Sequence, residues 1–173
     1  MFGLRLMWGT VPEMRQRLRT ILADAADDAA LFDEAFGRPH YIHLKRQDNV
    51  AQAISRLRAE QSGLWHRSAD GSERERSAPP APEVYDADLI AGLVHEAEAD
   101  NRNWDAWFAK HKIEPLRLTY EELSAAPQAV LAKVLTELGQ DPAIATTVKV
   151  KTAKLADEIS RDWAARFAEQ PAR

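Results

Sequence analysis

Apolar residues recur every three or four positions along most of the chain, which is the spacing of helices that bury one face. The helices predicted from this spacing start near Thr10, cover 27–36, follow Asp48, cover 86–110, start at Pro127 and include Trp163. In three of them the residues expected to face inward are Val50, Ala53, Ile54 and Leu57; Leu89, Ile90, Leu93, Val94, Trp104, Trp107 and Phe108; and Ile159, Trp163 and Phe167. Thr10 and Glu13 fit a capping box for the first of them. Gly37 and Gly139 are typical helix stops, because glycine readily adopts the left-handed backbone that ends a helix. The pattern therefore predicts that helix dominates.

Three short runs, 2–8, 40–45 and 114–119, are predicted as strands. The run 40–45 is the clearest, because Pro39 precedes it and polar residues follow it. Strands that alternate with helices favour a parallel sheet with right-handed crossovers. The fold class predicted from the residues is therefore α/β, rich in helix, with a small parallel sheet.

Between 62 and 83 the composition changes to serine, glycine, proline and alternating charges, which predicts an exposed variable loop. Its one apolar island contains Trp65 and Arg67, which could close over a ligand or could anchor the loop. The charged run 73–76 is interpreted as solvated loop. Residues 1–173 as a whole are predicted to form a single domain, as is ordinary for this length.

The composition argues against several kinds of site and partner. The chain has no cysteine and no acidic or histidine cluster of the usual metal-binding type, so no metal is predicted. A net charge of −4 argues against a nucleic-acid partner. No apolar run reaches the roughly 20 residues of a membrane span, and residues 1–8 do not resemble a signal peptide. The resulting expectation is a cytoplasmic protein.

The strand–turn–helix around Arg46 carries the clearest candidate chemistry. Arg46 directly follows the predicted strand 40–45 and precedes a helix, and Ser55 follows nine residues later inside that helix. Ligands of parallel sheets gather at the carboxyl ends of the strands, and the first amides of a helix are unpaired. A guanidinium fork and a hydroxyl suit a phosphate group. The alternative is that Arg46 is an ordinary arginine after a strand and Ser55 a solvent-facing helix residue.

Five segments of the chain carry recognisable motifs: 2–8, 44–55, 64–67, 118–139 and 154–163. In this order they resemble the bacterial trehalose-type sulfotransferases. The segment 118–139 resembles a Tyr-Glu-Asp/Glu-Leu stretch shared by wider sulfotransferases, and the segment 154–163 ends in a tryptophan, as the family's segment does. Together they span almost the whole chain.

The resemblance implies a P-loop-like sulfotransferase fold and transfer of a sulfuryl group from the donor PAPS to a hydroxyl of a carbohydrate or glycolipid acceptor. It also implies that Arg46 and Ser55 hold the donor's 3′-phosphate. Lys154 lies where the family usually has an arginine near the nucleotide, so it is carried over as a third donor-binding residue. Lysine there provides a point charge and not a fork.

The sequence departs from the family at its beginning. Members open with a strand and a Ser/Gly-rich loop that holds the donor's 5′-phosphosulfate, and a glutamate that follows is the proposed general base. Neither feature is found ahead of Phe2. The expectation is a fold that is incomplete at the N-terminus and inactive as this isolated fragment, with its catalytic residues unknown.

Two other functions remain open. A non-catalytic helical interaction module could have kept the scaffold and lost the chemistry, with the helix 86–110 and the loop as its docking surface. A kinase relative is the weakest alternative, because no glycine-rich loop with Lys-Ser/Thr is found. His43 could reach an acceptor, although a hydrogen-bonded sheet histidine is the favoured interpretation. Lys149 and Lys151 could line an anion site with Lys154 or could only keep a linker soluble.

Overall fold

The computed structural model describes residues 2–68, 70–153 and 157–170. Its contacts divide the chain into two compact units. The first unit contains the residues up to Leu44 together with Ala99–Leu118, and the second contains Lys45–Glu98 and the residues from Thr119 onward. The sequence predicts one domain over this length, and that assignment stays a prediction.

Helices account for most of the regular structure. They are α1 (Val11–Arg19), α2 (Asp28–Phe36), α3 (Asn49–Ser62), α4 (Ala87–His111), α5 (Tyr120–Ala125), α6 (Pro127–Glu137) and α7 (Glu158–Ala168). Two short 3₁₀ turns cover Trp8–Thr10 and Pro142–Thr147. The strands are β1 (Ile42–Lys45), β2 (Leu64–Ser68), β3 (Glu73–Arg76), β4 (Leu116–Thr119) and β5 (Thr152–Ala153). The predicted helix-rich α/β class with a small parallel sheet is therefore confirmed.

The first unit packs α1, α2 and the last part of α4 around one apolar cluster. Its buried members are Val11, Leu31, Phe32, Trp107 and Phe108. The helix periodicity predicts the last two correctly as core residues. Asp27 caps the start of α2, because its carboxylate accepts from the Ala30 amide at 2.9 Å. It ends at Gly37, which is left-handed as predicted.

The parallel sheet has two strands, where the sequence predicts three. β1 pairs with β4, and the Leu116 amide donates to the Tyr41 carbonyl just before β1 at 2.9 Å. His43 is buried, whereas Ile42 and Leu44 on the other side of β1 are 40% and 49% exposed. The sheet therefore presents an apolar strip on one side.

The predicted strand at 2–8 is wrong. Residues 2–7 have no regular secondary structure, and Trp8 begins a 3₁₀ turn. Leu6 and Trp8 pack against the core of the first unit while Phe2 and Leu4 are exposed. The alternation of apolar residues therefore does not mark one buried face, because only its last two members pack on the core.

The capping box predicted at Thr10 and Glu13 is also wrong. Thr10 ends the 3₁₀ turn in a helical conformation, so its hydroxyl donates back to the Met7 carbonyl at 2.8 Å and does not cap α1. Glu13 instead forms an ion pair with Arg17. A true capping box occurs at Thr119 and opens α5, a helix that the sequence analysis did not predict.

The second unit is built on a cluster shared by α3, the first part of α4 and α7. Its buried members are Ala53, Ile54, Leu57, Ile90 and Trp163, in agreement with the predicted stripes of α3 and α7. Leu89 and Ile159 were expected to face inward and are instead exposed. Each helix contributes only one narrow face, and these two side chains lie beside that face.

The segment predicted as an exposed loop at 62–83 contains a β-hairpin. β2 and β3 pair antiparallel, and β5 adds to the other side of β2. The charged run 73–76 is therefore strand β3, in which Arg76 pairs with Glu73 and also donates to the Ser62 carbonyl. Alternating charges concealed this strand because both of its faces are largely solvated.

The hairpin begins at a glycine that cannot easily be replaced. Gly63 follows α3 with φ of 72°, and a Cβ built there would lie 2.6 Å from the Ala78 carbonyl oxygen and 2.8 Å from its nitrogen. Gly71 in the hairpin turn also has positive φ, 85°, but a Cβ there would meet nothing within 4 Å. Both positions therefore have a left-handed backbone that would strain an L-residue, but only Gly63 lacks the space for a Cβ.

We expect Gly63→Ala to lower the free energy of unfolding by about 3 kcal/mol and Gly71→Ala by about 1 kcal/mol. The left-handed backbone costs an L-residue about 1 kcal/mol at both sites, and the contact with Ala78 adds about 2 kcal/mol at Gly63. Urea unfolding of both variants measures the difference. Equal losses would show that the close approach of the two backbones has no energetic consequence.

Candidate functional site

Arg46 lies directly after β1 and is half-buried. Its guanidinium carbon lies 4.5 Å from the centre of the Tyr120 ring, in the geometry of a cation–π contact. Its Nε is buried and has no hydrogen-bond partner among the described residues. The side chain is therefore held by an aromatic face while one buried donor is left unsatisfied.

The turn after Arg46 is occupied by a carboxylate from α5. Both carboxylate oxygens of Glu121 accept from the Gln47 amide at 3.2 Å, and one also accepts from the Asp48 amide at 3.4 Å. The Asp48 side chain in turn caps α3 by accepting from the Ala51 amide at 2.8 Å. The amides of Gln47, Asp48 and Ala51 are therefore already satisfied by side chains of the protein.

The contacts of Glu121 favour its ionised form. Partial burial raises the pKa of its carboxyl, but the amides of Gln47 and Asp48 and the positive charge of Arg46 outweigh this effect, so the pKa is lowered. Glu121 is thus a carboxylate at neutral pH, as its two hydrogen-bond donors require.

Ser55 lies on α3 and lines a small open pocket of about 40 Å³ in the second unit. The other lining residues are Arg58, Ala59, Ser62, Leu64, Arg67, Glu83, Asp157 and Ser160. This volume is enough for water or a small ion, and a whole nucleotide would need roughly 300 Å³ or more. Arg46 is not among the described residues that line this pocket. The assigned roles of Arg46 and Ser55 stay predictions.

Arg58 forms the densest group of polar contacts in this pocket. Its guanidinium donates to Glu83 at 2.6 Å, to the two Asp157 oxygens at 2.6 and 3.0 Å, and to the Ser160 hydroxyl. It thus links α3 to the segment before α4 and to the start of α7. No local sequence pattern reveals this group, because Glu83 and Asp157 are 25 and 99 positions away from Arg58.

The Arg58 guanidinium has a marked effect on Asp157. Its hydrogen bonds lower the pKa of Asp157 to about 2, with a further contribution from the Ser160 amide and against the opposing effect of burial. Asp157 also caps α7 by accepting from that amide at 3.1 Å. The residue therefore combines a helix cap with an ion pair.

The other residues singled out from the sequence have local partners. His43 is buried and accepts from the Arg117 guanidinium at 3.1 Å, which agrees with a hydrogen-bonded sheet histidine. The Trp65 ring nitrogen donates to the Ser77 hydroxyl at 3.0 Å and so anchors the hairpin. Arg67 lies in the lining of the Ser55 pocket. Lys154 lies outside the described residues.

Neither a metal centre nor a membrane helix is found in the part of the chain that the structure describes. No three histidine or acidic side chains are grouped there as metal ligands. In the same residues, every helix is too short or too polar to cross a bilayer.

The fold and the site define a helix-rich α/β protein with an arginine after a parallel strand. A family model narrows this class. The model described as Stf0 sulphotransferase matches residues 1–170, and the chain belongs to that family. The resemblance to trehalose-type sulfotransferases is therefore confirmed.

Two curated relatives support the same assignment. The chain is 32% identical to a trehalose 2-sulfotransferase of Mycobacterium tuberculosis, over 98% of this chain and 62% of the relative. It is 31% identical to a trehalose 2-sulfotransferase of Mycolicibacterium smegmatis, over 96% of this chain and 60% of the relative. The chain thus spans less than two thirds of the length of the curated relatives it matches.

We expect Asp157→Asn to lower the free energy of unfolding by about 1 kcal/mol at pH 7. Asparagine keeps the cap on α7 and removes only the charge that pairs with Arg58. The lowered pKa by itself would correspond to a larger loss of unfolding free energy. We expect a smaller loss because 49% of the Asp157 side chain is exposed and solvent screens its charge. Urea unfolding of both proteins between pH 2 and pH 7 measures the difference.

The sign of the pH dependence follows from the lowered pKa. The ion pair stabilises the fold above the ordinary pKa of 3.8, and this stabilisation is lost as the pH falls toward about 2. The two proteins should therefore converge at acid pH. Asp162→Asn, which removes an exposed pair with Arg166, is the control and should change stability little at any pH. A difference that does not depend on pH would contradict the assigned ion pair.

Proposed function

We propose that this chain is part of an enzyme that transfers a sulfuryl group from PAPS to a hydroxyl of a carbohydrate or glycolipid. The observation that carries the proposal is membership of the Stf0 sulphotransferase family over residues 1–170. The two relatives named as trehalose 2-sulfotransferases support a carbohydrate acceptor. The P-loop-like form of the fold is part of the same proposal.

In this reaction the sulfur–oxygen bond to the donor's phosphate breaks as a new one forms to the acceptor oxygen. The acceptor hydroxyl loses its proton, and the products are a sulfate ester and adenosine 3′,5′-bisphosphate. Such transfers depend on positioning and on stabilising the charge of the leaving group. The contribution proposed for the described part of this chain is to hold the donor.

Arg46 and Ser55 are the residues proposed to bind the donor's 3′-phosphate. The position of Arg46 after a parallel strand supports this role, because ligands of such sheets bind at that end. A second support is that its Nε has no hydrogen-bond partner among the described residues, so this donor is not already taken by an acceptor of the protein. Glu121 occupies the amides of Gln47 and Asp48, so the phosphate would not be held by these two amides.

Lys154 is proposed as an additional positive charge near the donor. This role rests on the family resemblance alone. Lysine acts on a phosphate as a point charge, so its contribution should depend more on salt concentration than that of Arg46.

We expect Arg46→Ala to weaken binding of adenosine 3′,5′-bisphosphate by about 2 kcal/mol, which is about thirtyfold. This is the value of a charge-assisted hydrogen bond to a phosphate. Isothermal titration calorimetry on the purified chain measures the affinity. Adenosine 5′-monophosphate, which lacks the 3′-phosphate, should bind wild type and variant equally.

Arg56→Ala is the matched control. Arg56 lies on α3, where it pairs with Glu60 and Glu96, so its loss removes the same charge without touching the proposed site. A wild-type affinity in Arg46→Ala would rule out the assigned role. No binding by the wild-type chain would instead favour the non-catalytic interaction module.

Ser55→Ala is expected to weaken the same ligand by about 1 kcal/mol, or about fivefold, because a neutral hydroxyl contributes less than a guanidinium. Ser77→Ala, in the hairpin, is the corresponding control. An unchanged affinity in Ser55→Ala would leave Ser55 as an ordinary residue of its pocket and limit the phosphate site to Arg46.

A further inference from the structure

Two consecutive residues of α5 hold the turn that carries Arg46. The Tyr120 ring lies under the Arg46 guanidinium at 4.5 Å, and the Glu121 carboxylate accepts from the amides of Gln47 and Asp48. One residue therefore contacts the side chain of the proposed phosphate-binding arginine, and the next contacts the backbone directly after it.

The backbone amides of Gln47 and Asp48 need a hydrogen-bond acceptor from outside their own segment. They follow the end of β1 and precede the first turn of α3, so they belong neither to the sheet pairing nor to the hydrogen bonds inside the helix. A single carboxylate that accepts from both fixes the path of the backbone at this point. Because Arg46 is the residue immediately before Gln47 and Asp48, the same contact also restricts the position of the Arg46 Cα, from which the side chain extends.

The start of α5 is itself fixed. The Thr119 hydroxyl accepts from the Glu122 amide at 3.1 Å, and the Glu122 carboxylate accepts from the Thr119 amide at 3.0 Å. This capping box sets the first turn of α5, and thereby the positions from which Tyr120 and Glu121 reach the Arg46 turn. The arrangement is a connected set of contacts and not an isolated surface pair.

A carboxylate beside an arginine that binds phosphate also has an electrostatic disadvantage. The negative charge of Glu121 lies close enough to interact with Arg46 and would oppose the approach of an anion. A residue with only this effect would weaken donor binding. Its two backbone contacts supply the compensating benefit, which is a fixed turn.

We infer that Glu121 is a positioning residue for donor binding: its carboxylate fixes the turn 46–48 so that the Arg46 guanidinium is directed at the 3′-phosphate. The inference rests on the proposed phosphate-binding role of Arg46 and extends it to a residue that does not touch the ligand. It assigns to the Tyr-Glu-Glu-Leu stretch at 120–123 a specific task in that site.

The test is a double-mutant cycle read by calorimetric titration with adenosine 3′,5′-bisphosphate. Glu121→Ala should weaken binding about tenfold in the wild-type background and less than about twofold in the Arg46→Ala background, because the effect passes through Arg46. Glu121→Gln should bind within about twofold of wild type, since its amide oxygen can still accept from the backbone while the repulsive charge is gone. Glu121→Met keeps the side-chain length without the oxygens and should behave like Glu121→Ala.

Asp141→Ala is the control for a purely structural effect. Asp141 also holds a backbone amide, that of Ala143, at 2.9 Å, at the start of the second 3₁₀ turn. Its loss should lower the melting temperature and leave the affinity of the folded protein unchanged. Glu121→Ala should lower both.

The possible failures can be told apart. Two results would overturn the positioning role alone. One is that Glu121→Ala weakens binding equally in both backgrounds. The other is that Glu121→Ala and Glu121→Met both lower the melting temperature and leave the affinity unchanged. A wild-type affinity in Arg46→Ala would overturn the proposed phosphate site, and the role of Glu121 with it. If Glu121→Ala does not fold, the cycle is run with Glu121→Met and decided by the same criteria.

Discussion

The backbone amides that follow a strand and precede a helix must find partners outside both elements, and this requirement shapes the region around Arg46. In this protein a carboxylate from α5 meets the requirement, although its residue is 74 positions away from Gln47. The contact brings the segment after β4 against the segment after β1. The aromatic ring that supports Arg46 comes with it, as the neighbouring residue. The partner of these two backbone donors thus brings the side chains of α5 beside Arg46.

The second unit uses a similar arrangement at the other end of α3. Arg58 is only 12% exposed, so its charge needs partners, and it finds them in Glu83, Asp157 and Ser160. These partners also line the pocket next to Ser55. Helix α3 thus has a guanidinium just before its start and another in its later half. The first lies against an aromatic ring with the Glu121 carboxylate nearby, whereas the second donates directly to two carboxylates.

The sequence predicts the parts of the fold that depend on local patterns. The stripes of α3 and α7, the stop at Gly37 and the strand that precedes Arg46 all follow from spacing within a few residues. The family follows from ordered motifs. The failures occur where distant residues decide the structure: residues 2–8 alternate but find no strand partner, and the Arg58 group joins residues far apart in the chain. The role of Glu121 is hidden for the same reason, since nothing near Gln47 in the sequence points to α5.

The small parallel sheet has a practical consequence. Parallel strands in proteins are normally covered on both faces, yet Ile42 and Leu44 present apolar side chains to solvent on one face of β1. Within the described residues β1 also has a single hydrogen-bonded neighbour, so backbone groups remain on its other edge. A strand with these two properties can act as a template for further strands. Self-association of the purified chain should therefore begin at this strip, and it should grow with protein concentration during refolding.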